Sequence, residues 1–262
     1  MTVKIALNTA SGNYQLCIPR DNLLIYHSLP KIMPVPTQDI EAIIRRGMAH
    51  PLGAAPLPKL LEGAKTAAVI VDDWARPVVT RHTVAPIVLN LLNEHGLGND
   101  DITLVMARGV GLSPSVETID SAFGPALQAR AVRKKINSYQ PSCLDFLGYS
   151  SLGTPIWIDT AVARADLVIG IGVTFPSPWG GWSGGAKIVV PGVAGAETIR
   201  QNHSLMMRGV MGCTDGEGLL DREEMARIAG LDLLINLVVN LDGQSVELAI
   251  KMIKEDKVAS VM

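Results

Sequence analysis

Three consecutive segments, AAVIVDD (67–73), RHTVAPIVLNLLNEHGLG (81–98) and DITLVMARG (101–109), decide the fold class of this 262-residue chain. The first and third are short apolar runs, and the segment between them has the spacing of an amphipathic helix. The alternation continues with the apolar runs ADLVIGIGVT (165–174) and LDLLINLVVN (231–240). Apolar runs separated by helices are typical of parallel strands buried on both faces. We therefore expect an α/β fold, with a Rossmann-like parallel sheet and flanking helices.

The ends of the chain are predicted to differ from its centre. Residues 1–50 are expected to form a small β-rich lead-in, with strands in VKIAL, YQLCIP and NLLIY. A helix is expected to follow in DIEAIIRRGMAHP, with Thr37 as its N-cap, and the segment SVELAIKMIKED (245–256) is predicted to be a terminal helix. No internal repeat or low-complexity linker is found. We therefore expect a single domain over residues 1–262.

Composition excludes several classes of function. The net charge is −2 without a block of like charge, which argues against nucleic-acid binding and against binding to a membrane surface. The three cysteines have neither a CxxC pattern nor metal-site spacing, as in proteins of a reducing compartment. The first residues lack the apolar core of a signal peptide, and no apolar run is long enough to span a bilayer. We expect a soluble cytoplasmic protein.

Charged residues follow the predicted strands at the points where ligands bind in α/β folds. Asp72, Asp73 and Arg76 come at the end of the first run, and Arg108 comes at the end of the second. Since parallel strands point their carboxyl ends to one edge, these residues are expected to form a composite site. The alternative for the Asp-Asp-Trp-Ala-Arg-Pro segment is a helix N-cap with an ion pair.

The segment WGGWSGGAKIVVPGVAGAETIRQNH (179–203) is the most informative for function. Its glycines surround Lys187, which would supply either a charge for a phosphate or an amine for covalent chemistry. It is not a Walker A sequence, because Ile188 follows the lysine where Ser or Thr is required. The alternative is a solvated loop cation. His203, at the end of a predicted short helix, is either a surface residue or a metal ligand.

Several of these motifs resemble the catalytic protein of the lactate racemase family. They include IPRDNLLIY, MAHPLGAAPLPKLLEGAK, DDWARP, ARADLVIGIG and above all GGWSGGAKIVVPGVAGAETIRQNH. The resemblance covers essentially the whole chain, and the spacing from lysine to histidine falls where the family has it. It implies a nickel-pincer nucleotide, a pyridinium mononucleotide that binds nickel through sulfur, carbon and sulfur.

By this resemblance, Lys187 would tether the cofactor as a thioamide, and His203 would complete a square-planar nickel site. Asp72 and Arg76 would line the pocket for cofactor and substrate. The remaining cofactor-binding positions implied are Ser183, Gly184 and Gly185.

Two departures from the family concern proton transfer. Gly111 stands where the family has a histidine acting as acid and base, and Ser177 stands where it has a second catalytic histidine. Racemisation of a 2-hydroxy acid needs a base on each face of the substrate. We therefore expect a hydroxy acid substrate other than lactate. Arg108 is a candidate for a second contact to an anion, and His82 is a candidate substitute base.

The family continues into a second α/β domain beyond the region that this chain matches. The alternatives are a natural short form, a partner chain that supplies the rest, or a truncated chain, and homo-oligomers are also open. Two functions from different classes follow. One is a racemase or epimerase that works by hydride shuttling, and the other is a binding subunit that holds the nucleotide or an anion. A conventional α/β enzyme with a phosphate-containing ligand is a third alternative.

Overall fold

The structure of the protein is a computed structural model that describes residues 2–9, 12–24, 39–74, 76–110, 122–130, 133–136, 140–177, 181–209, 215–239 and 246–251. The chain divides into two compact units, Met1–Pro34 and Val35–Met262. All the residues of the candidate site lie in the second unit.

The first unit contains a β-hairpin. Strand β1 (Thr2–Thr9) pairs antiparallel with β2 (Gly12–Pro19), with Thr2 opposite Pro19. This confirms the strands predicted from VKIAL and YQLCIP. The prediction of a third strand in NLLIY is wrong for its first residues, because Arg20–Asn22 form a 3-10 turn directly after β2. The last two residues of that segment lie outside the described part of the chain.

The second unit contains the other strands and the helices. The strands are β3 (Ala67–Asp72), β4 (Ile102–Ala107), β5 (Arg133–Ile136), β6 (Leu144–Tyr149), β7 (Pro155–Asp159), β8 (Leu167–Thr174), β9 (Pro176–Ser177), β10 (Gly181–Trp182), β11 (Leu231–Val239) and β12 (Val246–Lys251). The helices are α1 (Ile40–Ala49), α2 (Leu57–Leu60), α3 (Ala85–Glu94), α4 (Pro125–Gln128), α5 (Thr160–Ala163), α6 (Ala196–Met206) and α7 (Glu217–Ile228). A π turn at Thr80–Val84 leads into α3, and a 3-10 turn at Gly185–Ile188 precedes α6.

The main sheet has the strand order β5-β4-β3-β8-β11-β12. Its first five strands are parallel, and β12 is antiparallel to β11. The chain builds the sheet outward from β3 in one direction and then, starting with β8, in the other. Such a switch point opens a crevice at the carboxyl ends of the two central strands, where ligands bind in open α/β sheets. The predicted Rossmann-like fold is confirmed.

The core explains why these strands are apolar along their whole length. All six residues of β3 are buried. Val69 and Val71 belong to a cluster with α1 and α3, whereas Ala68 and Ile70 belong to a cluster that contains residues of α6 and α7. Because both faces are covered, the strand has no need of polar residues until Asp72 at its end.

Two boundary predictions are corrected. Asp39 caps α1, accepting a hydrogen bond of 3.0 Å from the backbone N–H of Ala42, and the predicted cap Thr37 lies outside the described residues. The predicted terminal helix is wrong over 246–251, which forms β12. There Val246, Leu248 and Ile250 alternate with other residues at the period of a strand, and β11 offers an edge with which to pair. In the described ranges no helix is both long and apolar enough to cross a membrane.

Candidate functional site

Three loops meet the carboxyl edge of the central strands. The first follows β3 and contains Asp73–Arg76 apart from Ala75, which the structure does not describe. The second follows β4 at Arg108 and connects to the third, since the N–H of Gly109 donates to the carbonyl of Gly192 over 2.9 Å. The third is the glycine-rich segment after β8. The site is therefore built around the switch point between β3 and β8.

Asp72 is the polar end of β3. It is 8% exposed, and its Oδ1 accepts a hydrogen bond of 2.6 Å from the Thr80 hydroxyl. Burial raises the pKa of this carboxyl to about 6, although the Thr80 bond and the charges of Arg81 and Arg76 oppose the increase. Its other oxygen, Oδ2, is buried and has no hydrogen-bond partner among the described residues. One acceptor atom thus remains for a ligand.

Arg81 organises the loop after β3. It is 1% exposed, and its Nη1 lies 3.4 Å from Asp72 Oδ1. The same guanidinium donates to the carbonyl oxygens of Asp73 at 2.8 Å, of Trp74 at 3.2 Å and of Arg76 at 3.2 Å. Five donors on a rigid plane can satisfy several carbonyls at once. Arg81 therefore fixes the path of the loop that carries Arg76.

The two arginines predicted for the site occupy different environments. Arg76 is exposed, and its guanidinium lies 5.1 Å from the ring centre of Phe175, which directly follows β8. Arg108 is largely buried, lies over the Trp74 ring at 5.5 Å and pairs with Asp73 at 3.5 Å. Arg76 therefore extends from the β3 loop towards the end of β8. The charge of Arg108 is already met in part by Asp73.

Ser183 and Gly184 anchor the glycine-rich turn to β8. The Ser183 hydroxyl donates to the carbonyl of Val173 at 2.7 Å and accepts from the N–H of Phe175 at 2.8 Å. Gly184 has φ +69° and ψ −154°, a region open almost only to glycine. A Cβ there would lie 2.7 Å from Asn236 Oδ1. These two residues hold the turn in place, and the cofactor contacts predicted for them remain predictions.

Gly185 gives the turn its open face. Its φ is +58°, and a Cβ at this position would meet nothing within 4 Å. Its N–H donates to Asn236 Oδ1 at 3.2 Å. A ligand could therefore approach the backbone closely at Gly185, as the sequence predicted for this glycine.

Lys187 lies in the 3-10 turn that follows the two glycines. Its Nζ donates to the Ser177 hydroxyl over 3.0 Å. Burial lowers its pKa to about 8, and repulsion from Arg222 and Arg76 lowers it further in the same direction. A much larger fraction of Lys187 is therefore the neutral, nucleophilic amine near neutral pH than for an ordinary lysine.

His203 lies one turn before the end of α6 and is exposed. Its Nδ1 lies 2.8 Å from the carbonyl of Ile199, which makes Nδ1–H the donor. That tautomer leaves the lone pair on Nε2, the arrangement typical of metal-binding histidines. The structure gives no contact between His203 and the other predicted site residues that it describes.

The remaining candidates fall elsewhere. The His82 ring packs beside Gly124, since a Cβ on that glycine would lie 2.8 Å from His82 Nε2. Gly111 lies outside the described residues. No group of three or more His, Cys, Asp or Glu side chains suited to a metal occurs within the described ranges. If a metal binds, the protein would supply few of its ligands there.

Sequence reasoning missed four residues of this region: Thr80, Arg81, Arg222 and Asn236. Arg222 is flanked by acidic residues in DREE, so it has the pattern of a surface charge run. Its burial is visible only in the folded chain, where the buried positions of α7 are Gly218, Asp221, Arg222, Met225 and Ala226.

The site thus combines an amine of lowered pKa, an exposed arginine, a buried carboxyl with one unpartnered oxygen and an open glycine backbone. This combination can bind an anionic ligand and can attach a group covalently through Lys187.

Comparison with known proteins gives a family match. Residues 10–212 match the family model of the lactate racemase N-terminal domain. The lactate racemase of Thermoanaerobacterium thermosaccharolyticum is 27% identical over 163 residues, which is 62% of this chain and 38% of that protein. The lactate racemase of Lactiplantibacillus plantarum is 27% identical over 204 residues, which is 76% of this chain and 48% of that protein. The chain spans less than half the length of these curated relatives.

Solved structures show the same fold. The lactate racemase apoprotein from Thermoanaerobacterium thermosaccharolyticum has a TM-score of 0.76 and 21% identity, covering 96% of this chain and 60% of that one. A protein from Thermotoga maritima has a TM-score of 0.62 and 23% identity, covering 80% of this chain and 54% of that one.

Proposed function

Because this chain belongs to the lactate racemase N-terminal domain family, we propose that it holds a nickel-pincer nucleotide at the glycine-rich turn. We propose further that it acts as a racemase or epimerase on a 2-hydroxy acid other than lactate. The single observation that carries the proposal is Lys187, an amine of lowered pKa beside an open glycine backbone.

The residues fit this cofactor in several respects. Lys187 would form the thioamide tether through Nζ. The Nε2 atom of His203 would be the nickel ligand, since its Nδ1 is engaged by the Ile199 carbonyl. The open backbone at Gly185 would admit the nucleotide, and Asp72 would line the same pocket. When bound, the cofactor supplies a hydride acceptor for the carbon that carries the substrate hydroxyl.

The charges of this chain support an acidic substrate. Arg76 is exposed at the end of the β3 loop, and its backbone is held by Arg81, so we assign it as the anchor for the substrate carboxylate. Arg108 is proposed as a second anion contact, and it would bind while remaining close to Asp73. His82 as a substitute base remains a prediction. Its ring lies beside Gly124, which gives this role no support.

Proton transfer is the step for which this chain differs from its family. The Ser177 hydroxyl accepts a hydrogen bond from Lys187, which with a pKa of about 8 is mostly the ammonium ion at neutral pH. A serine hydroxyl is a far weaker base than the histidine that the resemblance places at this position. The Asp72 carboxyl, with a pKa of about 6, is ionised at neutral pH and has an unpartnered oxygen. We assign it as the acceptor of the substrate hydroxyl proton.

A second candidate function is a binding subunit that holds the nucleotide or an anion without turnover. The observation that favours it is Ser177 itself, since the position carries no base. A partner chain related to the remainder of the family proteins would then supply the missing groups.

Metal analysis combined with a screen of 2-hydroxy acids tests the proposal. The protein is matured with the pincer-synthesis enzymes, and each enantiomer is followed by chiral chromatography. Bound nickel with isomerisation of a 2-hydroxy acid other than lactate supports the proposed enzyme, and isomerisation of lactate alone contradicts its substrate assignment. Bound nickel without any isomerisation, alone or with a partner chain, supports the binding subunit. Bound NAD or ATP without nickel contradicts the proposed enzyme and points instead to a conventional α/β enzyme with a phosphate-containing ligand.

A further inference from the structure

Arg222 is a buried cation that the proposed function does not use. It lies on α7 and is 6% exposed. Helix α7 packs against the turn Gly185–Ile188, which carries Lys187. Arg222 is therefore a buried cation on the helix that packs against the turn of Lys187.

The structure gives this guanidinium no counter-charge in direct contact. Its Nε is buried without a hydrogen-bond partner, and within the described ranges no hydrogen bond or ion pair to Arg222 is found. A buried charge without a partner is strongly unfavourable, which is why buried charges are usually paired. A buried arginine without a counter-charge indicates that an anionic group of a ligand pairs with it.

The acidic residues around Arg222 are committed elsewhere. Asp221 accepts hydrogen bonds from the hydroxyls of Ser150 and Thr154 and from the amide of Asn202. Glu224 accepts from the backbone and hydroxyl of Ser151. Glu223 attracts the charge of Arg222 without a direct bond, and burial still lowers the pKa of Arg222 to about 10. Glu223 thus offsets part of the cost of burying this charge.

Two other cations lie close by. Arg222 and Arg76 both repel the ammonium of Lys187 and lower its pKa, and Arg222 has the larger effect of the two. Arg222 lies on the helix that packs against this turn, and the Arg76 guanidinium lies over Phe175 at the end of β8, so both charges act on Lys187. Like charges gathered in a partly buried site are stabilised by an anion placed among them.

We infer that in the apoprotein Arg222 binds an oxyanion at the glycine-rich turn, either a phosphate monoester or a carboxylate, with Arg76 and the unmodified Lys187 adding positive charge beside it. This site requires neither nickel nor a covalent bond, so it can be tested on the apoprotein. Two ligands could supply such an oxyanion. One is the phosphate of a pyridinium mononucleotide, and the other is a second acidic group on the substrate.

The test compares the 262-residue apoprotein with its Arg222→Met variant in thermal unfolding and calorimetric titration with inorganic phosphate. Methionine keeps the packing volume and removes the charge. We expect wild-type protein to bind phosphate and to unfold at a higher temperature when phosphate is added. In Arg222→Met we expect affinity to fall about tenfold or more, the scale of one lost charge-assisted hydrogen bond. Arg222→Lys should retain part of the affinity.

Stability without anions separates ligand binding from a structural role. Replacing an unpaired buried cation by an apolar residue should leave the unfolding temperature unchanged or raise it. Arg227→Met, an exposed position on the same helix, is the matched control and should bind phosphate as wild type does. A lower unfolding temperature in Arg222→Met with unchanged phosphate binding would overturn the inference. So would the absence of phosphate binding in the wild type.

Two ligand pairs identify the source of the anion. Nicotinate mononucleotide is compared with its nucleoside, and malate is compared with lactate. A preference for the mononucleotide that Arg222→Met abolishes assigns the site to the nucleotide phosphate. A preference for malate that the same variant abolishes assigns it to a second substrate carboxylate. If neither preference depends on Arg222, the inference is wrong, even if nickel loading later supports the proposed function.

Discussion

The ammonium of Lys187 donates a hydrogen bond to the hydroxyl of Ser177 across 3.0 Å. The two residues lie ten positions apart, one in the turn before α6 and the other in β9. Ser177 stands where the resemblance places a histidine, so in this chain a neutral hydroxyl faces the tether position. The amine that would carry the cofactor and the position that has lost its base are therefore in direct contact.

This contact predicts the effect of Ser177→Ala on the amine. The hydroxyl stabilises the charged form of Lys187, so its removal should lower the pKa of Lys187 below its present value of about 8. Acylation of Lys187 followed by peptide mass spectrometry across pH should shift to lower pH, with exposed Lys59 as the internal control. An unchanged profile, or a shift to higher pH, would show that the hydroxyl does not stabilise the ammonium.

Arg81 is predicted to be the residue on which the β3 loop depends most. Arg81→Met removes the hydrogen bonds to four backbone carbonyls, three in the β3 loop and one at Ala122, and leaves Asp72 buried without this counter-charge. We expect the free energy of unfolding in urea to fall by about 3–5 kcal/mol. Arg45→Met breaks exposed ion pairs with Glu41 and Glu94 and should cost about 1 kcal/mol or less. Equal costs for the two variants would contradict the role of Arg81.

Alanine substitutions at Gly184 and Gly185 can be compared directly, because both glycines have positive φ but differ in the space available to a Cβ atom. At Gly185 the new Cβ meets open space, so Gly185→Ala carries only the left-handed backbone cost of about 1–2 kcal/mol. At Gly184 the Cβ would also lie 2.7 Å from Asn236 Oδ1 and 2.8 Å from Thr174 Oγ1. Gly184→Ala should therefore lower the unfolding temperature further than Gly185→Ala does. The reverse order would contradict the observed turn.

The raised pKa of Asp72 predicts that the stability of the apoprotein depends on pH. Its pKa is raised from 3.8 to about 6 in the folded state, so the folded state binds more protons between these values than the unfolded state. Stability contributed by the protonated carboxyl is complete below about pH 4 and is lost as pH rises through 6. The shift of about two units corresponds to roughly 3 kcal/mol.

The Asp72→Asn variant tests this dependence. The asparagine oxygen can still accept the Thr80 bond but does not titrate, so the fall in unfolding free energy between about pH 4 and 6 should disappear. Asp101→Asn, at an exposed position, should keep the wild-type profile. If Asp72→Asn follows the same profile as the wild type, Asp72 is not the titrating group.

The sequence was sufficient for the parts of the fold that depend on local pattern. β3, β4, β8 and β11 were predicted because strands covered on both faces must be apolar throughout. The prediction failed at β12, because the sequence of this segment is compatible with either a helix or a strand. Pairing with the edge of β11 decides in favour of the strand. The third strand of the lead-in failed because an apolar run alone does not provide a partner strand.

The placement of the candidate site residues was predictable, because they follow apolar strands in the sequence. The structure places Lys187, Asp72 and Arg76 at the carboxyl edge of the sheet, and their roles towards a cofactor or substrate remain predictions. Arg81 and Arg222 were not expected, since burial of an arginine depends on contacts distant in sequence. Arg81 reaches carbonyls of a loop that precedes it, and Arg222 faces a turn some 35 residues upstream. Only the folded chain brings those groups together.

The measurement that tests the central claim most directly is the intact mass of protein produced with the pincer-synthesis enzymes. The account predicts a covalent adduct of the pincer nucleotide that maps to the peptide containing Lys187 and is absent from Lys187→Ala. The Lys187→Arg variant, which keeps the charge without the reactive amine, should also lack the adduct. Wild-type protein without an adduct, or an adduct that persists in Lys187→Ala, would contradict the assignment of Lys187 as the tether.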